Sequence, residues 1–199
     1  LATEKRLTNI FSVPAAGGET KQLTTGGGSS PQWIDNGKRI AFVNGGNLFT
    51  MASDGTDVRE VKGLADFEAW SVSPAGDRIY FTRRVKLDQT PNEKYNLPNA
   101  KVRIIDNLMY RHWDYWSDYS YSHLFIASFD GSAVTDAKDI MEGEHFETPD
   151  APYFDENEIS WSPDGKYVAY TSKKLFGKEY SLSTNTDIYL YDVTTGQEK

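Results

Sequence analysis

Residues 103–123 read Arg-Ile-Ile-Asp-Asn-Leu-Met-Tyr-Arg-His-Trp-Asp-Tyr-Trp-Ser-Asp-Tyr-Ser-Tyr-Ser-His and set two Trp and four Tyr among Arg103, Arg111, three Asp and two His. Carboxylates framed by aromatic faces suit the capture of a cation. The rings form the walls and the acids form the anchor, and each desolvated ring–cation contact adds about 0.5–2 kcal/mol. A plainer reading competes: the stretch folds over its neighbours as a satellite core, since each such ring can bury about 150–250 Å². Both readings can hold for different residues. His112, Asp114, Asp118 and His123 could be drawn as a metal site, but their spacing matches no zinc signature, and no metal is expected.

Elsewhere the chain is poor in chemistry. The acids Asp136, Asp139, Glu142, Glu144, Glu147, Asp150, Asp155, Glu156 and Glu158 lack the regular carboxylate spacing of a calcium loop and read as a solvated linker. Gly26-Gly27-Gly28-Ser29-Ser30 lacks the Lys and the helix of a phosphate loop and reads as a connection between repeats. No G-x-S-x-G elbow, no Cys and no nucleotide fingerprint occurs. No catalytic residue and no cofactor are therefore expected within these residues.

The elements that carry the loop announce themselves by repetition. Ser30-Pro-Gln-Trp-Ile-Asp-Asn-Gly-Lys-Arg-Ile-Ala-Phe42, Trp70-Ser-Val-Ser-Pro-Ala-Gly-Asp-Arg-Ile-Tyr-Phe81 and Trp161-Ser-Pro-Asp-Gly-Lys-Tyr-Val-Ala-Tyr170 each read as strand, Gly-containing turn, strand. Gly37 and Gly76 lie 39 residues apart, the period of a four-stranded propeller blade, and Gly165 follows 89 residues later. Asn9-Ile-Phe, Asn47-Leu-Phe, His123-Leu-Phe and Asp187-Ile-Tyr open a third strand, and Asp54-Gly55, Asp130-Gly131 and Thr195-Gly196 turn it into a fourth.

This predicts an all-β chain of four-stranded blades, a partial β-propeller from a ring of six to eight. Residues 1–25 would end one blade, 31–61 form a full blade, 67–140 a second with an insertion at 86–122, and 159–199 an incomplete third. The open strand edges of such a piece invite a second copy, so a homodimer is one expected partner. Successive antiparallel strands place the long segments 86–122, 141–157 and 173–186 at one end of the sheets, and long loops on a rigid scaffold are where binding groups sit. The formal charge of −8 speaks against a nucleic-acid partner. No apolar stretch approaches the roughly 18 residues of a membrane span. Lack of Cys fits periplasmic, secreted and cytoplasmic settings alike.

The repeats resemble the β-propeller repeats shared by TolB-type proteins, with their WD40-like four-stranded blades, and by the prolyl oligopeptidase (S9) family of serine peptidases. Lys101-Val-Arg-Ile-Ile-Asp-Asn-Leu-Met-Tyr-Arg-His-Trp-Asp-Tyr-Trp116, followed by His123-Leu-Phe125, resembles the corresponding stretch of the bacterial dipeptidyl-peptidase 5 and acylaminoacyl-peptidase branch. The resemblance implies a propeller that gates and selects substrates for a C-terminal α/β-hydrolase domain of the same parent chain, whose triad these residues lack. The parent would release dipeptides or acylated residues from the amino ends of short peptides, in the periplasm or outside the cell. It implies an anion for the substrate's α-ammonium, for which Asp114 and Asp118 are the candidates, framed by Trp113, Tyr115, Trp116 and Tyr119. Arg111 is the candidate for a carboxylate or carbonyl. A non-enzymatic TolB-like protein-binding propeller is the alternative.

Overall fold

The computed structural model describes residues 7–199; the part of the opening blade read in residues 1–6 lies outside the described residues. Strand β1 (Phe11–Ser12) pairs antiparallel with β2 (Lys21–Gln22). Strands β3 (Ser29–Ile34), β4 (Arg39–Asn44), β5 (Asn47–Ala52) and β6 (Arg59–Glu60) form a four-stranded sheet in chain order. The next sheet takes β7 (Trp70–Val72), β8 (Arg78–Lys86), β11 (Ser120–Phe129) and β12 (Val134–Asp139), again in chain order. Between β8 and β11 lie helix α1 (Pro91–Tyr95) and the hairpin β9 (Arg111–His112) and β10 (Tyr115–Trp116). The last sheet joins β13 (Ile159–Trp161), β14 (Tyr167–Ser172) and β15 (Asp187–Asp192), with helix α2 (Gly177–Leu182) between the latter two. These short antiparallel sheets are the blades of the expected partial propeller.

Burial explains the apolar runs. Ile40, Ala41 and Phe42 of β4 are all buried, as are Ile79, Tyr80, Phe81 and Thr82 of β8. Successive strand residues face opposite sides, so runs of this kind require both faces of the sheet to be covered. Strand β8 runs to Lys86 and strand β11 begins at Ser120, three residues before His123, so the segment between the two strands is 87–119.

The chain forms two compact units, one of residues up to Phe67 with Ser71–Ile79 and Ala127–Ala137, the other of Glu68–Trp70, Tyr80–Ile126 and Lys138–Lys199. In the first, Ile10, Ile40, Phe42 and Met51 form a core joined by Leu23 and Phe49, with the Phe42 and Phe49 rings stacked at 5.7 Å. The Gln32 side chain clasps Val72, donating to its carbonyl at 3.1 Å and accepting from its N–H at 3.0 Å. Gly63, at φ +80°, lies so close to Val134 that a Cβ would stand 2.2 Å from that carbonyl oxygen. The approach is set by a parallel bridge between Lys62 and Ala133, in which the Val134 N–H donates to the Lys62 carbonyl and the Lys62 N–H to the Ser132 carbonyl, each at 2.8 Å.

In the second unit Tyr80, Leu124, Ile126, Met141, Ile159, Val168, Tyr170 and Tyr191 make one buried core. The Tyr80 hydroxyl donates to the Ile159 carbonyl at 2.9 Å, so the core's aromatic ring also carries a polar tie. Lys174 lies 3.8 Å above the Tyr189 ring and pairs with Glu198, which also accepts from Tyr170. No helix among the described residues is long and apolar enough to cross a membrane.

Candidate functional site

The insertion after β8 is built by local bonds before it offers a surface. Thr90 and Glu93 form a capping box at the start of α1, with Pro91 at the first helical position, where its missing N–H costs nothing. Asn92 then fastens the returning chain, donating to the Val102 carbonyl at 2.7 Å and accepting from the Ile104 N–H at 3.0 Å. Trp116 on β10 stacks on Tyr110 at 6.0 Å and carries the guanidinium groups of Arg103 at 4.2 Å and Arg111 at 5.2 Å over its ring. The Tyr119 hydroxyl donates to Asp106 at 2.7 Å, and burial together with that carboxylate pushes its pKa up to about 12. The aromatic wall is thus held in place by the insertion's own cations and acids.

Three segments converge on one cavity of about 120 Å³ in the second unit. The β8–β11 insertion contributes Leu108, Met109, Arg111, Tyr115, Trp116, Asp118 and Tyr119. The connection from β12 to β13 adds His145, Phe146, Glu147, Ala151 and Phe154, and the β14–β15 connection adds Leu175, Phe176, Gly177 and Tyr180. Arg84 at the end of β8 and Tyr121 at the start of β11 also line it. At about 10–15 Å³ per water on this measure, the space takes a peptide end or a side chain and excludes folded protein.

Its polar groups are concentrated at one place. Arg84 donates to the Ser120 carbonyl at 2.6 Å and lies 3.6 Å from Asp118 and 3.9 Å from Glu147. Both ion-pair separations are long, so the guanidinium balances two carboxylates without saturating either. The Glu147 side chain is 15% accessible and accepts from the Ser122 N–H at 3.3 Å. Burial pushes its carboxyl up to about 7, with Asp150 and Glu68 adding to the rise against the pull of the Ser122 N–H and Arg84. Burial acts the same way on Asp118, but the Ser120 N–H and hydroxyl and the Arg84 charge outweigh it and hold that carboxyl below the ordinary range. Burial, then Glu147, raises Tyr121 and Tyr180 to about 12. The result is a small aromatic cavity with one carboxylate ionised and a second poised near neutrality.

Of the residues singled out in the sequence, Arg111, Tyr115, Trp116, Asp118 and Tyr119 line this cavity. Trp113 and Asp114 do not; they form the two-residue turn of the β9–β10 hairpin, where Trp113 is 64% exposed and packs edge-on against His112 and Tyr153. Sequence reasoning missed Glu147, Arg84 and Tyr121. Glu147 was hidden in the acidic stretch read as a solvated linker, and that reading needs correction. Asp139 bonds His123 at 2.7 Å, and Asp150, raised by burial, accepts from Thr186 at 2.6 Å, so part of the stretch faces inward. Among the described residues no three His, Cys, Asp or Glu side chains gather as a metal site.

No family model matches the chain. It is 40% identical over 200 residues to a dipeptidyl-peptidase 5 of Porphyromonas endodontalis, an alignment covering 96% of this chain and 29% of that protein. It is 39% identical over 203 residues to a dipeptidyl-peptidase 5 of Porphyromonas gingivalis, covering 98% of this chain and 30% of that protein. Among solved structures, an acylaminoacyl peptidase of Pyrococcus horikoshii superposes over 96% of this chain and 27% of its own, with a TM-score of 0.59 at 14% identity. The resemblance read from the repeats and the insertion is borne out, and the chain spans under a third of the length of the curated relatives it matches.

Proposed function

We propose that this chain, homologous along nearly its whole length to a segment of dipeptidyl-peptidase 5, is the substrate-selecting propeller part of a longer serine exopeptidase. The observation that carries the reading is the cavity itself, with Asp118 and Glu147 on either side of Arg84 among aromatic walls. An exopeptidase that counts residues from the amino end needs an anion at a fixed place for the α-ammonium. Asp118 and Glu147 supply it, and the rings of Tyr115, Trp116 and Tyr121 exclude water around the bound end. Arg84 balances the two acids while the site is empty, and an incoming ammonium takes over part of that role. Asp114, on the hairpin turn, has no part in this anchor.

The bond-breaking groups would lie in a hydrolase domain of the parent chain, and the cavity would decide which peptides reach it. A periplasmic or extracellular setting belongs to the same reading. The test is hydrolysis of a dipeptidyl chromogenic substrate by the full-length parent, with inhibition by a serine-directed fluorophosphonate. Asp118→Asn and Glu147→Gln should each raise KM roughly 10- to 100-fold, the value of a hydrogen bond to a charged group, with kcat little changed. Unchanged KM in both variants would refute the anchor. A parent that hydrolyses no peptide would favour the binding-module alternative.

A further inference from the structure

We infer that His123 is a positioning residue for Glu147, a role that rests on the binding function proposed for the cavity. His123 is fully buried on β11, and both its ring nitrogens are engaged. Nε2 lies 2.9 Å from the Glu144 carbonyl oxygen, which can only accept, so this nitrogen carries the hydrogen and donates. Nδ1 lies 2.7 Å from Asp139, a contact that holds through a second hydrogen carried by Nδ1 or by the carboxyl, and the other carboxyl oxygen takes the Met141 N–H at 2.8 Å. Asp139 thereby sets the ring, and the ring sets Glu144.

The neighbouring residue fastens the other end of the same segment. Thr148 N–H donates to the Ser122 carbonyl at 2.9 Å, and the Ser122 hydroxyl donates back to the Thr148 carbonyl at 3.1 Å. Between these two clamps lie His145, Phe146 and Glu147, and all of them line the cavity. A span this short, tied to a sheet strand at both ends, has little freedom to move its side chains. If the His123 clamp is released, the Ser122 bonds and the Ser172 hydroxyl, which donates to the Glu147 carbonyl at 2.9 Å, still hold the far end, but the Glu144 end loses its tie to the sheet and the Glu147 carboxyl is less firmly set against Asp118 and Arg84. Displacements of about 1 Å at a binding group can cost on the order of 100-fold.

The experiment uses the full-length parent and a dipeptidyl chromogenic substrate. A Gln amide at position 123 reaches the place of Nε2 and keeps the bond to Glu144, whereas an Asn amide reaches only the place of Nδ1 and keeps Asp139. His123→Asn should raise KM at least about tenfold with kcat within about twofold, and His123→Gln should stay within about threefold of the native KM. A native KM in His123→Asn, or equal losses in the Asn and Gln variants, would overturn the inference. If His123→Asn does not fold, Asp139→Leu decides, since Leu fills about the same volume but can neither donate to nor accept from the ring and so frees it: a raised KM supports the role, and an unchanged one removes it. Glu147→Gln is measured alongside. An unchanged KM there and in Asp118→Asn means the anchor reading has failed, whereas a raised KM in Glu147→Gln with no effect at position 123 removes only the positioning role.

Discussion

Replacing Glu147 by Gln should make the protein more stable at alkaline pH and leave it unchanged at acid pH. The cause lies in the cavity, where burial displaces the carboxyl from 4.5 to about 7. Each pH unit of displacement is worth about 1.4 kcal/mol, so the whole is about 3 kcal/mol. The direction follows from proton binding. Below pH 4.5 the group is neutral in both the folded and the unfolded chain and contributes nothing. Between 4.5 and 7 the unfolded chain ionises while the folded one keeps its proton, so stability falls as pH rises. Above 7 the full cost persists. A Gln carbonyl can keep the Ser122 N–H bond and has no charge to bury. For a chain of this size 1 kcal/mol corresponds to about 2–4 °C in Tm, so the variant should melt several degrees higher at pH 8 and within a degree of the native chain at pH 4.5. Thermal unfolding followed by circular dichroism across that range is the assay. A Tm difference independent of pH, or a variant less stable at pH 8, would refute the claim that Glu147 is held ionised at a cost.

Other perturbations test the fold and the loop. Gly63→Ala drives a Cβ to 2.2 Å from the Val134 carbonyl at a positive φ and should cost about 2–4 kcal/mol by denaturant unfolding. Leu124→Ala empties a fully buried position in the second unit's core and should cost about 3–5 kcal/mol, whereas Tyr80→Phe, losing only its bond to Ile159, should cost about 1–2. Trp116→Ala removes the ring that Tyr110, Arg103 and Arg111 share, so limited proteolysis should nick residues 103–116 several times faster while the core melts within a few degrees of native.

The fold was legible because blades are built from local signals. The Gly turns at Gly37, Gly76 and Gly165 each adopt a positive φ and join the strands the sequence places around them. The capping box of α1 is equally local, with Thr90, Pro91 and Glu93 side by side, although the reading passed over it. The site was only half legible. Asp118 and Asp114 are chemically equivalent in the sequence, and what separates them is a tight hairpin turn with Trp113 at φ +46°, where the usual residue would be Gly, Asn or Asp. Glu147 looks like its acidic neighbours because its burial depends on Arg84 and Ser122, partners far away in the chain. Patterns of neighbouring residues reveal strands and turns; they do not reveal which of several carboxylates a distant strand will cover.

The clamps on residues 144–148 have a consequence for evolution. Strand β11 grips this segment through the Glu144 carbonyl and the Thr148 N–H and carbonyl, all of them main-chain groups. Main-chain recognition is blind to side-chain identity, so positions 145 and 146 can be exchanged without altering these bonds, whereas Glu147 also takes the Ser122 N–H on its own carboxyl. Lineages that keep Ser122, His123 and Asp139 are then free to rewrite the chemistry of the cavity wall by single substitutions. New preferences for the bound end could arise there without rebuilding the blade that supports them.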